Sequence, residues 1–168
     1  MIKRILHVYN MQAAYHQVRK NKGSAGVDGI TVKQLEIAIR RDYPNIKEQI
    51  QSGKYYPQPI LGVEIPKGKG KTRLLGIPTT TDRMLQQAVS QVLMIHWEQD
   101  FSNNSYGFRP NRNARQAVGK ALGYINAGHK YIIDIDLKTF FDEVDHCLLL
   151  NLIYQRIKCP ITLGLIRR

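Results

Sequence analysis

A chain of 168 residues with 43% hydrophobic and 23% charged side chains is long enough for one domain with a core and too apolar for a disordered polymer. Lys plus Arg total 25 against 13 Asp plus Glu, a net charge of +12 that points to a polyanionic partner, most often nucleic acid. Two cysteines, Cys147 and Cys159, exclude a disulfide framework and a four-thiolate zinc site, and no apolar run is long enough to span a bilayer. The basic start MIKRILHVYNMQ lacks the continuous apolar stretch and small-residue cleavage site of a signal peptide, so a reducing cytoplasm and no membrane are expected. The charge is uneven: residues 1–133 hold 20 bases and 8 acids, and residues 134–168 hold 5 of each. The first four-fifths is suited to phosphate, and the remainder opens with a carboxylate cluster.

In chain order, residues 1–20 read as a helix, with Ile2, Ile5, Leu6 and Tyr9 at helical spacing and Tyr15 and Val18 further on. NKGSAGVDGIT, residues 21–31, reads as an ordered loop. Thr31 is placed to cap a helix to about Arg41, Pro44 to begin another, and Gly53 to end it. Tyr55 to Pro66 is β-like, KGKGK at 67–71 is a basic glycine-containing tip, and TRLLGIP at 72–78 returns as a second strand. Residues 82–97 give the clearest helix, through Leu85, Ala88, Val89, Val92 and Leu93. A polar loop at 103–113 precedes a helix to about Ile125, with Gly128 as its stop. KYIIDIDL at 130–137 is the strongest strand signal, and residues 139–144 and 147–158 read as helical up to Pro160. Many helices with only about three strands suggest part of a larger fold, since a sheet commonly has roughly five.

Three segments have residue types suited to chemistry. Alternate side chains of a strand share a face, so Asp134 and Asp136 point one way and Ile133, Ile135 and Leu137 the other. Strand-end carboxylates suit a hard cation that also takes phosphate oxygens. The other reading is a solvated strand end with Asp capping the next helix. In KGKGKTR, residues 67–73, exposed amides and cations suit a triphosphate, or else form a solvated basic turn. After GFRP at 107–110, Arg112 and Arg115 lie three apart, so one helix face can carry both toward a nucleic-acid backbone; a charged outer face is the alternative.

Four blocks in order resemble the N-terminal part of a bacterial-type group II intron reverse transcriptase, or maturase. They are NKGSAGVDGI at 21–30, IPKGKGKTRLLGIPTTTDRMLQQAV at 65–89, NSYGFRPNRNARQAV at 104–118 and YIIDIDLKTFFDEVDH at 131–146. The resemblance implies an α+β fold: the fingers and partial palm of a right-hand polymerase, helix-rich, with a β-hairpin and a palm strand. It divides the chain into an N-terminal extension and helical fingers segment (1–54), fingers (55–128) and the start of a palm (129–168).

The resemblance also implies roles. The palm block places the first catalytic carboxylate and metal ligand at Asp136, ahead of Asp134, which lies two residues too early. The backbone carbonyl of Leu137 is the candidate to complete the metal sphere, and Mg²⁺ is the implied ion. Phe141, five residues after Asp136, falls where the family places the bulky residue that screens the sugar 2′-OH. Lys67 and Arg73 match residues that hold the incoming dNTP. Arg83 and Arg109 match positions near the template strand, Arg112 belongs to the same basic block, and the Gly26–Gly29 loop lies against template or primer. The implied activity is RNA-directed DNA synthesis on an RNA template from a DNA primer, with group II intron RNA as a further partner.

One departure is large. The family's second palm motif, an aromatic, any residue and then Asp-Asp, does not occur in residues 1–168. A two-metal site needs about three carboxylates in a geometry one strand cannot supply. The expectation is that these residues alone are not a competent polymerase. Three other readings stay open: RNA binding that promotes intron splicing without catalysis, a related reverse transcriptase serving defence or diversification, and an RNA-binding remnant of a truncated gene.

Overall fold

The structure, a computed structural model, describes residues 1–68 and 70–168; Lys69 and the side chain of Lys71, in the expected basic tip, lie outside the described residues. In chain order the elements are α1 (Ile2–Ile5), α2 (Val8–Lys20), α3 (Leu35–Gln51), β1 (Leu61–Gly68), β2 (Lys71–Ile77), α4 (Thr80–Trp97), α5 (Ala114–Asn126), α6 (His146–Arg156) and α7 (Pro160–Arg167), with a 3-10 turn at Glu98–Asp100. Two units result. The first is Met1–Leu93 with His146–Arg168, and the second is Met94–Asp145.

In the first unit, the single helix expected over 1–20 is broken. His7 is extended at φ −67, ψ 139, and separates α1 from α2. Asn10 sits just inside α2, and its amide donates to the carbonyls of Ile5 at 2.8 Å and Ala88 at 3.0 Å. Gln91 donates back to Asn10 Oδ1 at 2.9 Å. The break lets Ile2, Ile5 and Leu6 join Met11, Ala14 and Val18 in one core with Met84, Leu85, Ala88 and Val92 of α4.

α3 also departs from expectation, running through Pro44 as one helix. Proline removes one donor from a helix interior. Leu35, Ala38, Ile46 and Ile50 are nevertheless buried from both sides of it, and that burial favours one continuous helix. Thr31 does not cap through its hydroxyl. Its carbonyl accepts from the amides of Gln34 and Leu35, both at 3.0 Å, while its hydroxyl donates to Gln34 Oε1. Gly53 ends the segment at φ +69, as expected of a glycine stop. At the other end of the chain, Pro160 opens α7 rather than only ending α6, and Ile157 and Thr162 are fully buried in the first unit.

The strands form an antiparallel hairpin, Leu61 opposite Ile77 through Pro66 opposite Thr72, with an irregularity between Pro66 and Gly68. Gly68 and Gly70 take positive φ of 85° and 72°, which a side-chain-bearing residue adopts only with strain.

The structure corrects two expectations. Residues 130–137 form no strand, and the expected helix at 139–144 is absent, with turns over 138–143 in its place. A strand needs a partner ladder to satisfy its backbone, and the described strands are β1 and β2, paired with each other. Tyr131, Ile132, Ile133 and Ile135 are at least four-fifths exposed, so this segment has β-like composition without the neighbours that would bury it.

Asp82 joins the hairpin to α4. Its carboxylate is 3% exposed and accepts from the Tyr55 hydroxyl at 2.5 Å, the Thr79 hydroxyl at 2.7 Å and the Gln58 amide at 3.1 Å. The Thr79 hydroxyl in turn accepts from the Asp82 amide at 3.1 Å, covering a donor at the start of α4. Asp82→Ala strands three donors and is expected to cost about 3 kcal/mol or more in urea unfolding.

Burial, and then the hydrogen bond and charge of Asp82, push the Tyr55 phenol well above its ordinary value of 10.0. A raised folded-state pKa contributes stability that is complete below the unfolded value and is lost as pH rises toward the folded one. Stability at alkaline pH is therefore expected to fall more steeply in the wild type than in Tyr55→Phe, and a urea series from pH 9 to 11 checks the difference in slope.

Candidate nucleotide and nucleic-acid site

The hairpin, the 21–31 loop and the start of α4 belong to the first unit. Lys67 and Arg73 are exposed, Arg73 lies opposite Ile65, and Lys67 falls within the hairpin's irregularity near the tip. Two cations beside glycines with positive φ can approach an anion without side-chain obstruction.

The 21–31 loop is tied down. The Thr80 hydroxyl donates to the Ile30 carbonyl at 3.2 Å, the Arg83 guanidinium donates to the Ser24 carbonyl, and the Gly29 amide donates to Gly26 at 3.1 Å. A Cβ on Gly26 would stand 2.7 Å from the Thr79 backbone, so this glycine permits close packing of loop on helix. Gly29 has φ +69 and open space around it. Of the three residues expected at nucleic acid here, Gly26 faces protein, Arg83 is anchored to the loop, and Gly29 faces outward.

The second unit holds the other candidates. The Arg109 side chain is 6% exposed. It donates to Glu98 Oε1 at 2.8 and 3.1 Å and to the carbonyls of Ser102 at 2.7 Å and Ser105 at 3.0 Å, and it lies over the Phe101 ring at 5.1 Å. A guanidinium with its donors committed in this way organises its own loop and leaves little for a phosphate. Arg112 is half-buried. It donates to the Asn103 carbonyl at 3.3 Å and lies over the Tyr106 ring at 5.5 Å. Asn113 and Gln116 cap α5 reciprocally, fixing where Arg115 leaves the loop.

Asp136, Leu137, Phe141 and Asp142 line one open hollow with Ile135, Thr139 and Phe140. The turn beneath them is closed by the Asp142 and Glu143 amides, which donate to the Thr139 carbonyl at 2.9 and 3.2 Å. Thr139 takes φ +50, a costly conformation for a β-branched residue. The lining of the hollow includes two carboxylates, Asp136 and Asp142, and two aromatic rings, Phe140 and Phe141. Among the described residues no three His, Cys, Asp or Glu side chains converge to hold a metal ion.

Residues 65–168 match the family described as reverse transcriptase (RNA-dependent DNA polymerase). The chain belongs to this reverse transcriptase family. Its similarity extends upstream of that block. It is 36% identical over 142 residues to Protein YkfC of Escherichia coli, covering 82% of this chain and 37% of the relative. It is 36% identical over 146 residues to the group II intron-encoded protein LtrA of Lactococcus lactis, covering 86% and 24%. It is 30% identical over 139 residues to nuclear intron maturase 1, mitochondrial, of Arabidopsis thaliana, covering 79% and 19%. The chain thus spans about a third or less of the length of the curated relatives it matches. The α+β character expected of such a reverse transcriptase segment agrees with the helices and single hairpin. Among the described residues no helix is long and apolar enough to cross a membrane.

Sequence reasoning missed the Asp82 hub, although its signal was present. Thr79 followed three residues later by Asp82, ahead of an apolar helical run, is a helix-start signature. It also assigned Arg109 by position when its neighbours decide its use. Arg109→Ala is expected to speed amide hydrogen exchange across residues 98–112 by at least tenfold relative to the first unit, read by mass spectrometry.

Proposed function

We propose that this chain is the fingers and early palm region of a group II intron-encoded reverse transcriptase. The reaction is addition of dNTPs to a DNA primer 3′-OH on an RNA template. The family match over residues 65–168 carries this reading, because it takes in the hairpin cations and the Asp136 hollow together. Lys67 and Arg73 hold the dNTP triphosphate by charge and offset the negative charge that grows as the α-phosphate is attacked. Phe141 excludes a 2′-OH by bulk. Asp136 supplies one carboxylate of the site that binds Mg²⁺ in this reading, with the Leu137 carbonyl beside it. The remaining carboxylates come from outside these residues. Gly26, Gly29, Arg83, Arg109 and Arg112 shape or line the path of template and primer, with Gly26, Arg83 and Arg109 acting through the loops they hold. The setting is the cytoplasm.

A second reading is binding of intron RNA to promote splicing. The name of the Arabidopsis relative, an intron maturase, and the net charge of +12 support it. Asp136→Asn separates the two in a protein that includes the completed palm. Primer extension is expected to fall by about a thousandfold or more, while RNA binding, steeply salt-dependent, stays within twofold. Unchanged extension would remove Asp136 from the chemistry. The 168-residue chain by itself is expected to show no RNA-templated extension, and extension abolished by Asp136→Asn in that chain would overturn this expectation. In the completed protein, Phe141→Ala is expected to raise ribonucleotide incorporation relative to dNTP at least tenfold.

A further inference from the structure

We propose that Arg168 is a positioning residue for dNTP binding: it braces the base of the hairpin that carries Lys67 and Arg73, and acts on the substrate through them. The inference deepens the reading above and rests on it. Arg168 directly follows α7, and its guanidinium donates to the Tyr55 carbonyl, 113 positions away in the chain, and lies over the Tyr56 ring at 4.2 Å. A planar guanidinium can stack on a ring and donate to a carbonyl at once. The Tyr56 ring is 70% exposed, so the core does not hold it. α7 is a firm mount: Thr162 is fully buried, Leu165 packs against the core, and the helix lies against α3.

Tyr55 is held by every polar group it has. Its amide donates to the Gln49 carbonyl at 3.0 Å, its hydroxyl donates to Asp82 Oδ1 at 2.5 Å, and its carbonyl accepts from Arg168. These contacts tie it to α3, α4 and α7 in turn. From Tyr55 to the start of β1 the chain runs Tyr56, Pro57, Gln58, Pro59, Ile60. Each proline fixes its own φ and pushes the residue before it toward extended backbone, so this stretch is stiff and carries the anchor at Tyr55 to β1. Asp82 gathers the Tyr55 hydroxyl and the Gln58 amide at one carboxylate. Arg168 adds a hold on the Tyr55 carbonyl and the Tyr56 ring from another helix, and a second hold resists pivoting about the first. Lys67 lies six residues beyond Leu61, roughly 20 Å along the strand. A tilt of about three degrees at the base then moves the tip by about 1 Å, a displacement that matters for a charged group aimed at a reacting phosphate.

The test has two readouts. In the 168-residue chain, amide hydrogen exchange across residues 61–77, read by mass spectrometry, is expected to be about fivefold or more faster in Arg168→Gln than in the wild type, with α2 and α4 within about twofold. In a protein that includes the completed palm, Arg168→Gln is expected to lower kcat/KM for the dNTP about tenfold or more, with primer–template affinity within about twofold. Arg73→Ala removes a cation through which the brace acts, so adding Arg168→Gln to it is expected to cost less than about threefold more, whereas a loss unrelated to the hairpin would multiply in full. Unchanged hairpin exchange in Arg168→Gln would overturn the brace. Faster exchange with kcat/KM unchanged, or with losses that multiply in the double variant, would overturn its role toward the dNTP and leave the polymerase reading intact. No primer extension by the completed wild-type protein would overturn the polymerase reading and the role toward the dNTP with it, and hairpin exchange would then decide the brace alone.

Discussion

The carboxylate of Asp82 is the contact on which the first unit depends. A buried carboxylate is stable only where donors surround it, and three reach it here from two stretches of chain: Tyr55 and Gln58 from one, Thr79 from the other. The segment entering the hairpin and the first turn of α4 are therefore fixed to one point. The loop at 21–31 is drawn to the same place by Thr80, by Arg83 and by the close approach of Gly26 to Thr79. The apolar side of α4, through Met84, Leu85, Ala88 and Val92, then seats this polar junction on the core. The placement of Lys67 and Arg73 follows from it, since the hairpin that carries them leaves this junction at both ends.

The second unit is organised on the same principle by an ion pair. Arg109 gathers Glu98, Ser102 and Ser105, turning a polar, glycine-containing segment into a defined loop ahead of α5. Its side chain is nearly buried, where an unpaired partner is costly, so the pair has more structural weight than an exposed one. In both units a residue type associated with binding phosphate or metal has been used to hold backbone in place. Among the described residues, Lys67, Arg73, Arg115 and Phe108 are exposed instead.

Much of the local structure was legible in the sequence. α4 and α5 follow from apolar spacing, and the hairpin from two β-rich runs around glycines. These are short-range signals, and the structure retains them. The misses were long-range. The kink at His7 exists because both halves of the first helical stretch reach one core. α3 passes Pro44 because residues on both sides of the proline are buried. Residues 130–137 have the composition of a strand but no ladder beside them. Strand formation depends on a partner, which no property of the segment itself supplies.

The sequence by itself determined the family, the sign and distribution of charge, and the residue types at Lys67, Arg73, Asp136 and Phe141, because these are encoded as ordered motifs. Only the tertiary structure decided how the motif residues are used. It placed Arg109 and Arg83 in internal hydrogen bonds, set Gly26 against backbone, exposed Phe108, and gathered Asp136, Leu137 and Phe141 around one hollow. The physical reason is that a side chain's role depends on which groups distant in the chain come within hydrogen-bonding or packing distance, and folding alone sets those distances.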